Sequence, residues 1–164
     1  MSRDALVVGI NQYYTFKPLN TPATDAEKMA QYLEKYGNFQ VVRRLPLTIQ
    51  GKQFKVDSEV EPTKLVTAGK LEDALSQLFN PEGTNIPETA LFFFAGHGHR
   101  KNIGGILTGY LATSETNPNR RDWGVSLKLL RELLQQSPIK QQIVWLDCCF
   151  SGEFIVQKLS FKVC

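Results

Sequence analysis

Two short stretches hold the residue types that nucleophilic catalysis needs: Gly96-His97-Gly98-His99 and Asp147-Cys148-Cys149-Phe150-Ser151-Gly152. A free thiol has a pKa of about 8.5, so only a few per cent is thiolate at neutral pH. A neighbouring imidazole raises that fraction or takes the proton during attack. Glycines on both sides of His97 let the backbone approach a substrate closely. The amides of Gly98 and Cys149 are candidates to donate to a developing oxyanion, and the small residues Ser151 and Gly152 keep the thiol uncrowded. Taken singly, each stretch has an ordinary reading, a histidine in a glycine-rich turn and an inert buried cysteine. They make an active site only if the fold joins them, because His97 precedes Cys149 by 52 residues (149 − 97).

The elements that must do the joining are legible in the apolar pattern. Ala5 to Ile10 and Ala90 to Ala95 are continuous apolar runs, as expected of strands covered on both faces. Phe39 to Leu45 and Gln142 to Leu146 are two further strands. Helices are predicted where apolar residues recur at three- and four-residue spacing: Ala26 to Tyr36 with Gly37 as its stop, Leu71 to Phe79 ended by Asn80-Pro81, and Leu127 to Leu134 stopped by Ser137-Pro138. Thr24-Asp-Ala-Glu27 has the spacing of a capping box for the first helix. Pro46 to Gly69 reads as an irregular insertion, with Phe54 and Val56 hinting at a short hairpin. Gly104-Gly105 turns the chain into a strand or hairpin arm from Ile106 to Ala112. Strands alternating with helices of this length predict an α/β fold with a mostly parallel sheet and helices on both faces. Ligands and chemistry then gather beyond the carboxyl ends of the strands. Both stretches sit at that edge. Adjacent strands lie about 4.8 Å apart, so the His and the Cys meet if their strands are neighbours.

Composition narrows the function classes. The chain has 164 residues, 42% hydrophobic and 21% charged, which fits a folded domain spanning 1–164. Nineteen basic and sixteen acidic residues leave a net charge of +3 with no long basic run, so nucleic acid is not an expected partner. No stretch approaches the ~18 apolar residues of a membrane span. Three cysteines, two of them adjacent, make a poor disulfide framework and point to a reducing, cytoplasmic setting. His97, His99, Cys148 and Cys149 are a poor zinc set, because neighbouring side chains at a strand end point to opposite faces. No metal or other cofactor is expected. The turn after the first strand, Gly9-Ile-Asn-Gln-Tyr13, lacks a phosphate-cradling G-x-G-x-x-G, which counts against a dinucleotide-binding domain. Ser151 is not in a G-x-S-x-G elbow.

The succession of first strand, Thr24-to-Glu27 helix, Phe92-Phe-Phe-Ala-Gly-His-Gly98 and Asp147-Cys-Cys-Phe-Ser-Gly152 resembles the large-subunit half of the caspase-like cysteine peptidases, the metacaspases and their bacterial relatives in particular. Caspases space their His and Cys by about 50 residues. The resemblance implies a three-layer αβα fold, His97 and Cys149 as the catalytic pair, and Gly98 with Cys149 as oxyanion donors. It leaves His99 as a loop residue and Cys148 as a small apolar residue facing the core. Phe150 stands where the family often has His, a side chain that is not the base. Leu19 to Thr24 lacks the arginine with which caspases read Asp. Metacaspases place two acids at this pocket instead, and those positions correspond to Asp25 and Asp147, implying cleavage after Arg or Lys. The ordinary reading of Asp25 is a helix-dipole partner, and of Asp147 a tie for the strand-end loop. The chain ends 15 residues after Cys149, whereas the family continues into a small-subunit half, so a completing segment or chain is an expected partner alongside a peptide substrate. Relatives are often calcium-activated, but no run of oxygen ligands marks a calcium loop here. The competing expectation is a catalytically idle interaction module.

Overall fold

The computed structural model describes residues 2–58 and 65–149. Its centre is a sheet of four parallel strands in the order β2-β1-β5-β9: β1 (Arg3–Gly9), β2 (Val41–Leu45), β5 (Thr89–Ala95) and β9 (Gln141–Asp147). The apolar runs of β1 and β5 leave no polar face, and both strands are buried on both sides. Alternate residues feed two cores. Leu6, Val8, Phe92, Phe94, Val144 and Leu146 pack against α2 (Ala68–Phe79) and α3 (Leu127–Gln136). Ala5, Val7, Leu91, Phe93 and Ala95 pack against α1 (Pro22–Tyr36). Helix, sheet and helix pair thus form the expected three layers.

Of the two edge strands of this sheet, β9 is covered on one side only among the described residues. Val144 and Leu146 are buried, while Ile143 and Trp145, facing the other way, are 37% and 40% exposed.

Helix ends follow local chemistry with one correction. The Ser126 hydroxyl accepts the Leu129 N–H at the start of α3, and the Thr67 hydroxyl accepts the Lys70 N–H at the start of α2. Gly37 closes α1 with its N–H on the Leu33 carbonyl. The capping box expected at Thr24 to Glu27 does not form, because α1 already begins at Pro22, a residue suited to a first helical position. Glu27 instead accepts from Arg44 at 3.1 Å and from the Val56 N–H at 2.8 Å. Arg44, buried on β2, also pairs with Glu34 at 2.8 Å, so α1 is tied both to β2 and to the chain at Val56.

The expected irregular insertion contains an antiparallel hairpin of β3 (Leu47–Gln50) and β4 (Gln53–Val56). Its turn uses Gly51 at φ 62°, a conformation that favours glycine. Beyond β5, β6 (Gly98–Ile103) and β7 (Ile106–Leu111) pair antiparallel, and β8 (Val125–Ser126) joins β7. Gly98 and His99 are therefore strand residues, which corrects the reading of His99 as part of a loop. No helix among the described residues is long and apolar enough to cross a membrane.

Candidate active site

The sheet brings the two stretches together by register. β5 and β9 are neighbours, and Ala95 pairs with Asp147 at their carboxyl ends. One residue further the Gly96 N–H still reaches the Asp147 carbonyl at 3.3 Å. His97 and Cys149 each follow two residues after that last pair, on chains that leave the sheet side by side. Gly98 lies against the Cys149 main chain, and a Cβ built on it would collide with the Cys149 carbonyl. Phe150, Ser151 and Gly152 lie outside the described residues.

The backbone at Gly98 also has a definite polarity. Gly98 faces Leu111 in the β6–β7 ladder, and the Ala112 N–H bonds the His97 carbonyl at 2.9 Å. In an antiparallel ladder that bond makes Gly98 and Leu111 a non-hydrogen-bonded pair, so the Gly98 N–H points away from β7.

His97 is fixed by the loop that follows β1. Its N–H donates to the Tyr13 hydroxyl at 2.9 Å, and its ring meets the Tyr13 ring edge-on at 4.8 Å and the Phe16 ring at 5.5 Å. Nε2 lies 2.7 Å from the Lys17 carbonyl oxygen. A carbonyl only accepts, so Nε2 carries the proton, and Nδ1 of the neutral ring is left as the basic nitrogen. Among the described residues no hydrogen bond joins His97 to Cys149. Burial pushes the pKa of the Tyr13 phenol well above its usual range, which keeps the hydroxyl neutral.

The near neighbours sort differently. His99 is stacked on Trp123 with centroids 5.7 Å apart and its Nε2 lies 2.6 Å from the Trp123 carbonyl. Tyr110 and Phe16 also pack on it. Burial holds its pKa below 6.5, so it is a structural, neutral ring. Cys148 packs against the core, and burial, followed by the charges of Cys149 and Asp147, pushes its thiol up to about 12. Cys149 is exposed. Of the two adjacent thiols, the one open to a substrate is Cys149.

Asp25, half-buried on the first turn of α1, and Asp147, exposed at the end of β9, line one cleft of about 200 Å³. Its remaining walls are the loop from Leu19 to Pro22 and the strand end Ala95-Gly96. The cleft thus abuts the Gly96-His97 corner. A larger cleft of about 400 Å³ lies between α1 and the β3–β4 hairpin, where Glu27, Glu34 and Arg44 are paired with one another, away from the strand ends. Among the described residues no group of three or more His, Cys, Asp or Glu side chains is arranged to hold a metal.

The model of the caspase domain matches residues 2–162. The chain belongs to the caspase-domain family. Its class is therefore that of the caspase-like cysteine peptidases, and the layered α/β sheet just described is the fold of that family. The crystal structure of protein GSU0716 from Geobacter sulfurreducens is similar over 99% of this chain, with a TM-score of 0.62 and 16% sequence identity. At that identity the likeness is one of fold. This caspase-domain chain spans 58% of the length of that protein. No curated protein matches it in sequence.

Two contributions to the site escape a reading of side-chain types. The Lys17 carbonyl is a main-chain group, invisible as chemistry in any sequence. The aromatic pair Tyr13 and Phe16 carries a faint signal, being in a short loop directly after a central strand.

Proposed function

We propose that this caspase-domain chain is the catalytic half of an endopeptidase of the metacaspase type that cleaves peptide or protein substrates after Arg or Lys. Cys149 is the nucleophile. His97 takes the thiol proton through Nδ1, and the thiolate attacks the scissile carbonyl to form a tetrahedral intermediate. The amides of Gly98 and Cys149 donate to the oxyanion as charge develops, the kind of contact typically worth about 3 to 4 kcal/mol in a transition state. Protonated His97 then returns its proton to the leaving amine, and the acyl-enzyme is released by a water that His97 deprotonates in turn.

Asp25 and Asp147 supply the specificity. Two carboxylates on one small cleft favour a cationic side chain through charge-assisted hydrogen bonds, about twice as strong as neutral ones. The observation that carries the whole reading is the adjacency of this acidic cleft to the paired strand ends from which His97 and Cys149 depart. Among the described residues β9 is an edge strand, which supports a partner segment that extends the sheet, and the exposed Ile143 and Trp145 support cover on that face.

A non-catalytic interaction module is the second reading. What favours it is the commitment of the His97 ring to Lys17 with no bond to Cys149. Before substrate binds, however, catalytic contacts are often long. Incubating the assembled protein with fluorogenic peptides ending in Arg, Lys or Asp separates the readings. Cleavage after Arg and Lys supports the peptidase, preference for Asp removes the specificity assignment, and no cleavage of any supports the module.

A further inference from the structure

Asn11, the second residue after β1, is 6% exposed and carries a polar side chain that the mechanism does not use. A buried amide is costly unless its groups are bonded, and here both its oxygen and its nitrogen serve one loop. Oδ1 accepts the Ala23 N–H at 2.9 Å, and Nδ2 donates to the Asn20 carbonyl at 3.4 Å. The Asn11 main-chain carbonyl accepts the Leu19 N–H at 2.8 Å. Residue 11 is thereby bonded to residues 19, 20 and 23, which pins the neck of the loop.

That loop has two working parts. Between residues 11 and 19 it delivers Tyr13, Phe16 and the Lys17 carbonyl to His97. From Leu19 to Pro22 it walls the acidic cleft and leads into Asp25. Asn11 also replaces a missing cap: Thr21 makes no side-chain bond at the start of α1, and Asn11 Oδ1 takes an N–H of that first turn. The position of Asp25 on that turn follows from where the helix begins.

We infer that Asn11 is a positioning residue that couples the acidic cleft to the orientation of His97. The inference rests on the proposed function, since it presumes that the cleft reads a cationic side chain and that His97 is the base. A substrate cation held against Leu19 to Asp25 stiffens a loop whose other arm fixes the imidazole. Substrate recognition and activation of the base are then parts of one ordered unit.

The test compares labelling of Cys149 by three alkylating reagents: a peptidyl-arginine chloromethyl ketone, its norleucine counterpart, and iodoacetamide, which needs no cleft. Asn11→Ala is expected to lower the arginine-over-norleucine rate ratio by about tenfold and to slow iodoacetamide as well, the size of effect that misplacing a site by a fraction of an ångström produces. Asn11→Asp, which keeps the acceptor for Ala23, is expected to retain the ratio to within about threefold of the parent chain. A folded Asn11→Ala variant with the parent ratio overturns the inference. If that variant does not fold, amide hydrogen exchange on the parent decides: the Leu19 and Ala23 N–H groups are expected to gain protection with the arginine reagent and not with norleucine. Equal protection overturns it. A parent chain that shows no preference for the arginine reagent refutes the specificity of the proposed function, before any variant of Asn11 is made.

Discussion

Gly98 meets the main chain of Cys149 so closely that even one methyl group on its Cα would collide with the Cys149 carbonyl. The contact joins the corner after β5 to the corner after β9. Replacing Gly98 by Ala forces the two corners apart. We expect Gly98→Ala to destabilise the protein by about 2 kcal/mol, as overpacked sites do, and to abolish peptide cleavage by the assembled protein. Gly69→Ala on α2, where an added Cβ would face open space, is the control and should fold and react normally. Thermal denaturation and initial rates measure both.

Asp25 and Asp147 face the same cleft from two different elements. Replacing either by Asn keeps the shape and removes a charge. Each substitution is expected to lower kcat/KM for arginine substrates about tenfold or more, the worth of roughly 1.5 to 3 kcal/mol for a hydrogen bond to a charged group. Cleavage of a norleucine analogue should change much less. Equal losses on both substrates would mean that the carboxylates support the fold and do not read the side chain.

His99 supplies a pH-dependent part of stability. Its pKa in the folded protein lies below 6.5 because burial disfavours the imidazolium. Above that pH the ring is neutral folded and unfolded alike, and its packing with Trp123 contributes in full. As the pH falls through about 6.5 the unfolded chain binds a proton that the folded ring resists, so stability declines until the folded pKa is passed. The melting temperature is expected to drop between about pH 7 and pH 5, and a His99→Gln variant should show a shallower drop over that range. Parallel slopes would contradict the burial of a neutral ring.

Much of this architecture is legible in the residues because it depends on patterns that repeat locally. The unbroken apolar runs of β1 and β5 follow from burial on both faces, and the three helices follow from the spacing of their leucines and alanines. Asp25 and Asp147, picked out by resemblance, line one cleft because α1 starts beside the end of β9. The sequence pattern points to Thr24 as the start of α1, but the helix begins at Pro22, because its cap comes from Asn11, a dozen residues before Ala23, and Glu27 is drawn to Arg44 and Val56. Both are tertiary contacts with no local signature. The same is true of His99: a glycine-flanked histidine reads as a turn, yet pairing with Tyr110 across β7 and stacking on Trp123 hold it in a strand. The orientation of His97 was hidden most completely, since it is set by the main chain of Lys17.

The central claim is that His97 activates Cys149, and the most direct measurement is the pH dependence of Cys149 alkylation by iodoacetamide in the parent chain and in His97→Ala. The account predicts that the parent thiol reacts at least about tenfold faster than the variant near pH 7 and that the two rates converge as the pH rises past the ordinary thiol pKa of about 8.5. Superimposable profiles would contradict it, for the imidazole would then have no hold on the thiol beside it.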